Sequence, residues 1–269
     1  MARISNEAKQ RYSEKVKEYK QRIDQFLHHE KLVQESLPAD ENGAHYKRLT
    51  LADDRLNLAS YYLLLNRISV ALLGVKNDAF LNDARKSCYQ SIIFLEQVVS
   101  SLIDAPYSDY SERLDLIADY HDSHRYALAR KLGFTIQSVE DDFGDNSKWR
   151  WSFVELEGRF ATVTKNLINM KTVIAGMDPR VEGYEARVGH LALAKELLQR
   201  AADRYREKYE LSTLRIDDFK LAIAYLAALR RIHMMLGETQ QSDVIKKKID
   251  VWKSKMETDE RKAMQKNGS

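Results

Sequence analysis

The sequence predicts an all-α protein of about eight long helices arranged as successive antiparallel hairpins. Three observations predict it. In the stretch from Ser147 to Ala175, the residues Trp149, Phe153, Leu156, Phe160, Val163, Leu167, Met170 and Ile174 recur at alternating steps of four and three, the seam of one helix packing on another. The chain has 269 residues but only 10 Gly and 3 Pro, too few turn residues for a strand-and-turn fold. Charged residues make up 31% of it, which suits the solvated faces of long helices.

The first predicted helix runs from about Asn6 to Gln34. Tyr12, Val16, Tyr19, Ile23, Phe26 and Val33 form a narrow apolar stripe that Glu30 interrupts. So thin a stripe places this helix at the edge of a bundle or in self-association with another chain. After Pro38 and a polar loop, Thr50 is the expected cap of a second helix. That helix carries Leu56, Ala59, Leu63, Leu65 and Leu72, is apolar around much of its girth and should lie in the core, with Gly74 at its end. Asn77 should cap the third helix, whose inner face includes Ala84, Cys88, Ser91, Leu95, Val98 and Leu102. Its small residues let the second and third helices approach closely.

Asp109 and Glu112 have capping-box spacing for a fourth helix, lined by Leu114, Ile117, His121, His124, Leu128 and Leu132 and closed by Gly133. An acidic connector with Asp141, Asp142 and Asp145 then leads to the central stretch, which Asn146 or Ser147 should cap. Asp178 followed by Pro179 reads as the start of a sixth helix, with Gly183 and Gly189 inside it and Lys195 on its seam. This helix should pair antiparallel with the central one. Asp217 caps a seventh core helix that Gly237 ends. The last begins near Thr239, directs Ile245, Ile249, Trp252 and Met256 inward and Lys246, Lys247 and Lys248 outward, and frays from Thr258.

The residues argue against most chemistry. Cys88 stands alone, so neither a disulfide nor a cysteine metal site is available within the chain, and it reads as a small core residue. His121 and His124 share a helix face at a spacing that can bind a metal, but no carboxylate precedes any of the seven histidines by three positions, as the Glu-x-x-His pattern of di-iron bundles requires. No phosphate-binding glycine loop, HExxH run or nucleophile elbow is present. No catalytic, cofactor-binding or metal-ligating residue is therefore assigned. A net charge of +3 without a clustered basic face does not point to nucleic acid. The polar stretch Met1–Gln10 has no signal-peptide core, and no run of about 18 apolar residues predicts a transmembrane segment, so a cytoplasmic protein is expected.

Trp149 and Trp151 diverge on a helix, so only one can enter the seam. Trp151 should lean toward the acidic connector, an aromatic anchor rimmed by carboxylates. With Asp141, Asp142 and Asp145, and with Tyr107, Tyr110 and His121 as neighbours, it forms the candidate site for a protein partner bearing a basic segment.

Leu73–Gly74, Leu132–Gly133 and Leu236–Gly237 each close a predicted helix that another follows. This resembles the Leu-Gly punctuation of tetratricopeptide-like helical-repeat scaffolds, although Arg67, Tyr126 and Arg230 stand where that family places a small residue. The resemblance implies stacked helical hairpins. The expected division is an N-terminal amphipathic helix, 1–36, a helical domain, 48–257, with a candidate inner boundary near 134–146, and a polar tail, 258–269. The expected function is a non-enzymatic scaffold or adaptor for protein–protein interaction. The alternatives are a nucleic-acid-associated protein using the basic last helix, and a helical hydrolase or metalloprotein.

Overall fold

The structure, a computed structural model, describes residues 5–39, 43–144 and 149–267. Among them are ten α-helices and no strand. The helices are α1 (Asn6–Ser36), α2 (Ala44–Leu73), α3 (Asp78–Val98), α4 (Ser111–Asp115), α5 (Asp122–Phe143), α6 (Arg150–Asn166), α7 (Met170–Ala175), α8 (Tyr184–Lys208), α9 (Ile216–Met235) and α10 (Thr239–Asn267). The protein is all-α. The chain forms two compact units: the first holds Met1–Val99, Leu116–Asp119 and Ala127–Arg150, and the second holds Ser100–Asp115, Tyr120–Tyr126 and Trp151–Ser269.

In the first unit, α2 packs against both α1 and α3. The thin stripe of α1 meets α2 through Ile23, which is buried with Leu58 and Leu65, while Val16, Tyr19 and Phe26 close around them. Glu30, the polar break in that stripe, is buried and paired with Arg55 of α2. α2 starts at Ala44, earlier than expected; Thr50 lies inside it and donates its hydroxyl to the Tyr46 carbonyl. α2 is long and apolar enough, by length and composition, to cross a membrane. Helices on both its flanks account for its apolar girth. α3 approaches α2 closely through small residues, and the Ser91 hydroxyl donates to the Ala52 carbonyl at 2.9 Å. Cys88 is fully buried there, and burial pushes its thiol up to about 12, where it is inert as a nucleophile. Asn77 caps α3 as expected, accepting from the amides of Ala79 and Phe80.

α5 differs most from expectation. It runs through Gly133 to Phe143, because the apolar spacing Leu128, Leu132, Ile136, Val139 and Phe143 continues past the glycine and is buried. The acidic segment at 140–142 is the last turn of this helix rather than a connector, and Leu132–Gly133 is no junction. Gly74 and Gly237 do end α2 and α9, each in the left-handed conformation at φ 64° and 72°.

In the second unit α6 is buried around most of its girth, Phe153, Leu156, Phe160 and Val163 on one face and Glu157, Thr162 and Lys165 elsewhere, while Glu155 is exposed and Ser152 and Arg159 beside it are half-buried. The apolar stripe thus marks the central helix of this unit but not the extent of its burial. α6 stops at Asn166, and α7 restarts after Asn169, whose side chain accepts from the Lys171 amide. Ile174, on the predicted seam, is 58% exposed as a result. Trp149 precedes α6 and belongs to the first unit, where the Arg85 guanidinium lies 4.3 Å from its ring centre. α6 and α8 run antiparallel as expected: Glu157 pairs with Arg204, and Thr164 with His190.

α8 begins only at Tyr184. Asp178 accepts from the amide and the guanidinium of Arg180, a local turn that competes with helix initiation, and Gly183 is the left-handed residue before the helix, at φ 80°. Gly189 leaves room for Tyr126, whose ring atoms lie 2.7 Å from where a β-carbon would be. A π-helical turn, Tyr209–Thr213, leads into α9, which packs against both α8 and α10. The stacked rings of Tyr209 and Phe219 and the tilted pair of Phe219 and Trp252 tie these three helices together. α10 stays helical to Asn267, and Tyr209 donates its hydroxyl to Asp259 within the predicted polar tail.

Candidate functional site

The structure distributes the predicted partner-site residues between the two units. Asp141 and Asp142 are in the first; Tyr107, Tyr110, His121 and Trp151 are in the second; Asp145 lies outside the described residues. Asp142 already accepts a two-pronged bond from Arg67, at 3.1 Å to each oxygen, and a further one from Asn66. Asp141 accepts from Gln137 one turn earlier. Asp142 thus holds α5 against α2 within the first unit, whereas the bond of Asp141 stays within α5. Trp151, in the first turn of α6, is half-buried. Tyr107 donates its hydroxyl to Asn169 at 2.7 Å, and Tyr110 is buried, its ring edge-on to that of Tyr107. His121 is exposed, its ring stacked on that of His124 at 6.2 Å. Among the described residues no three His, Cys, Asp or Glu side chains converge as metal ligands.

Much of the buried polarity of the second unit goes to backbone carbonyls left free at helix breaks. Arg125 donates to the carbonyls of Tyr120, Leu167 and Leu114. Arg187 donates to those of Gly176, Val181 and Glu182 and pairs with Asp122. Asn166 donates to those of Ser100 and Leu102. These side chains terminate helices and fix loops, which the unpaired carbonyls of helix ends require. His190 does the same for Thr164, and burial drives its pKa down to about 4, so it is a neutral donor at ordinary pH.

Among the described residues, one arrangement open to a ligand is a groove of about 410 Å³ along the hairpins of α8, α9 and α10. Leu229 and His233 of α9 line it together with Lys195 and Gln199 of α8 and Gln240, Gln241, Val244 and Ile245 of α10. Leu229 and Ile245 are buried and give an apolar base, whereas Val244 is 63% exposed. At one end the left-handed turn at Gly237 presents Glu238 to Lys195 and His233. Lys195 donates to both its oxygens, at 2.9 and 2.7 Å, and His233 donates through Nδ1. Burial alone would push the Glu238 carboxyl up, but the bonds and charges of Lys195 and His233 hold it below the ordinary carboxylate range. The groove thus has an apolar base, glutamine amides along its α8 and α10 sides, and charges that are already partnered.

Sequence reasoning read the seventh helix, which carries Leu229 and His233, as a core helix and turned Ile245 inward, and did not see the groove. The one signal was Lys195, a cation on the otherwise apolar seam of α8. No curated protein and no solved structure matches the chain. The TP0443 family matches residues 8–260, and the chain belongs to that family.

Proposed function

We propose that the protein is a non-enzymatic helical adaptor that holds a segment of a partner protein in the groove along α8, α9 and α10. The observation that carries this reading is the pairing of an apolar base with an exposed Val244 on a frame of three helices. Helical grooves of this kind accept an amphipathic helix or an extended segment, with apolar anchors below and polar contacts at the rim. Gln199, Gln240 and Gln241 supply donors and acceptors without a net charge. Lys195 and His233 are committed to Glu238, so the groove selects an apolar anchor more than an ionic one. The stacked hairpins around it suit a scaffold similar to helical repeats.

A face for nucleic acid on α10 is supported less well. Lys246 and Lys247 are exposed, but Asp243 and Asp250 flank them one turn before and after, and Lys248 and Lys255 are paired with Asp203 and Asp259. Affinity purification of the wild-type protein beside Val244→Arg, with mass spectrometry of what is retained, tests the adaptor reading. A protein held by the wild type and lost from the variant is expected. Retention of the same proteins by both contradicts the groove assignment. Salt-dependent retention of a random duplex would favour nucleic acid instead.

A further inference from the structure

The π-helical turn Tyr209–Thr213 is closed by the Leu214 amide, which donates to the Tyr209 carbonyl at 3.0 Å. Leu214 is left in the left-handed conformation, at φ 49°. The other four described residues with positive φ are all glycines, which reach it without the clash that a β-carbon brings. Little burial offsets that strain within the chain, because Leu214 is 70% exposed and Leu211 in the same turn is 69% exposed. The turn is held in this form by Thr213, whose hydroxyl accepts from the Arg215 amide and donates to Asp218.

Leu214 lines a groove of about 490 Å³, within the size range of ligand sites, and Tyr209 and Ile216 add to its apolar wall. Four charged side chains line it as well. Glu210 is paired with Arg206 at 3.0 Å, and Asp259 accepts from Tyr209 at 2.9 Å and from Lys255 at 3.1 Å. The bond from Lys255 is the main reason that the Asp259 carboxyl stays below the ordinary carboxylate range, and Lys262, one turn further along α10, adds a smaller pull. Among the described residues Lys262 makes no ion pair and no hydrogen bond, and it is exposed, so of these four it is the charge open to a ligand. One groove thus offers an apolar contact and an ammonium, the complement of an apolar side chain with a carboxylate near it. Its concave form and its two carboxylates disfavour a flat anionic membrane.

We infer that this groove is a docking surface for an acidic segment of a partner protein, whose apolar side chain packs on Leu214 while a nearby carboxylate meets Lys262. It shares no lining residue with the groove at Lys195 and does not depend on the adaptor reading of that groove.

Selection of short linear peptides from a random phage-displayed library on the immobilised full chain, after depletion on the Leu214→Gly protein, tests it. The depletion removes peptides that bind elsewhere. Enrichment of peptides that combine carboxylates with a leucine-like side chain is expected. By fluorescence anisotropy such a peptide should bind Lys262→Glu about tenfold more weakly than the wild type, and replacing its carboxylates by lysine should restore binding to that variant. Leu214→Gly should melt about 2 °C above the wild type, because glycine relieves the left-handed strain, so its loss of binding is not a loss of fold. No enrichment, enrichment of basic or uncharged peptides, or equal binding to the wild type and Lys262→Glu overturns the inference. A Leu214→Gly protein that melts well below the wild type overturns it too, since the leucine would then serve the fold. Self-association of the wild type that Leu214→Gly abolishes would assign the surface to a second copy and overturn the acidic partner.

Discussion

Gly158 of α6 faces the hydroxyl of Tyr225 so closely that a β-carbon there would sit 2.5 Å from the oxygen and 2.7 Å from the Tyr205 ring. Tyr205 and Tyr225 stack with centroids 5.5 Å apart, and both are buried, so neither ring has room to yield. Replacing a helical glycine by alanine usually gains about 1 kcal/mol of propensity. Overpacking of a filled core costs about 1–3 kcal/mol and the geometry here is at the severe end. Gly158→Ala is therefore expected to destabilise the protein by about 1–2 kcal/mol in urea unfolding. A gain in stability would show that the tyrosines do not fix the approach of α8 and α9 to α6.

Phe160 lies one half-turn further along α6 and is 2% exposed. Phe160→Ala removes a large buried side chain from the central helix of the second unit. A loss of about 3–5 kcal/mol is expected by chemical denaturation. A change of a few tenths would mean that this face of α6 is not core.

His190 makes stability depend on acid. Burial is the main cause of its low pKa, with Arg125 adding to the effect, and the Thr164 carbonyl and Asp122 opposing it. The unfolded chain takes up a proton at His190 below its ordinary pKa of 6.5, whereas the folded chain does not until about 4. Stability is accordingly lost as pH falls through that window, by about 3 kcal/mol between pH 7 and pH 4. His190→Gln, which keeps a donor for Thr164 but cannot titrate, should unfold with a pH dependence weaker by that amount. Identical pH profiles for the two proteins would contradict the assignment.

Glu30 and Arg55 join α1 to α2 through a largely buried ion pair. Removing one partner of a fully buried pair costs about 3–5 kcal/mol, and the residual exposure of these side chains lowers the expected loss for Glu30→Ala to about 2 kcal/mol. A double-mutant cycle with Arg55→Ala should show strong coupling, and backbone amides of α1 should lose hydrogen-exchange protection first. Additive effects with unchanged protection of α1 would contradict this.

The helices were legible in the sequence wherever their ends carry their own chemistry. Asn77, Gly74 and Gly237 act within a few residues of themselves, so each end could be read locally. Glu30 was visible as a break in the stripe of α1, but its partner Arg55 lies 25 residues away and left no mark on the pattern. The end of α6 was hidden because apolar spacing ran through it. What stabilises the break is long-range: Arg125 reaches the Leu167 carbonyl across 42 residues and Asn166 reaches Ser100 across 66. Asp178 was misread because its carboxylate turns to Arg180, a choice between two local structures that composition does not decide. The groove was illegible for a plainer reason. Spacing separates buried from exposed positions within a helix, whereas a groove is a property of three helices together.

The adaptor assignment is tested most directly by site-specific photo-crosslinking in the native cell. A benzophenone side chain at Gln241, on the rim of the groove, should yield one dominant crosslinked protein, and Val244→Arg should abolish it. The same probe at Lys247, an exposed position outside the groove lining, should not capture that protein. Capture of the same protein from both positions, or its persistence in Val244→Arg, would contradict docking in the groove.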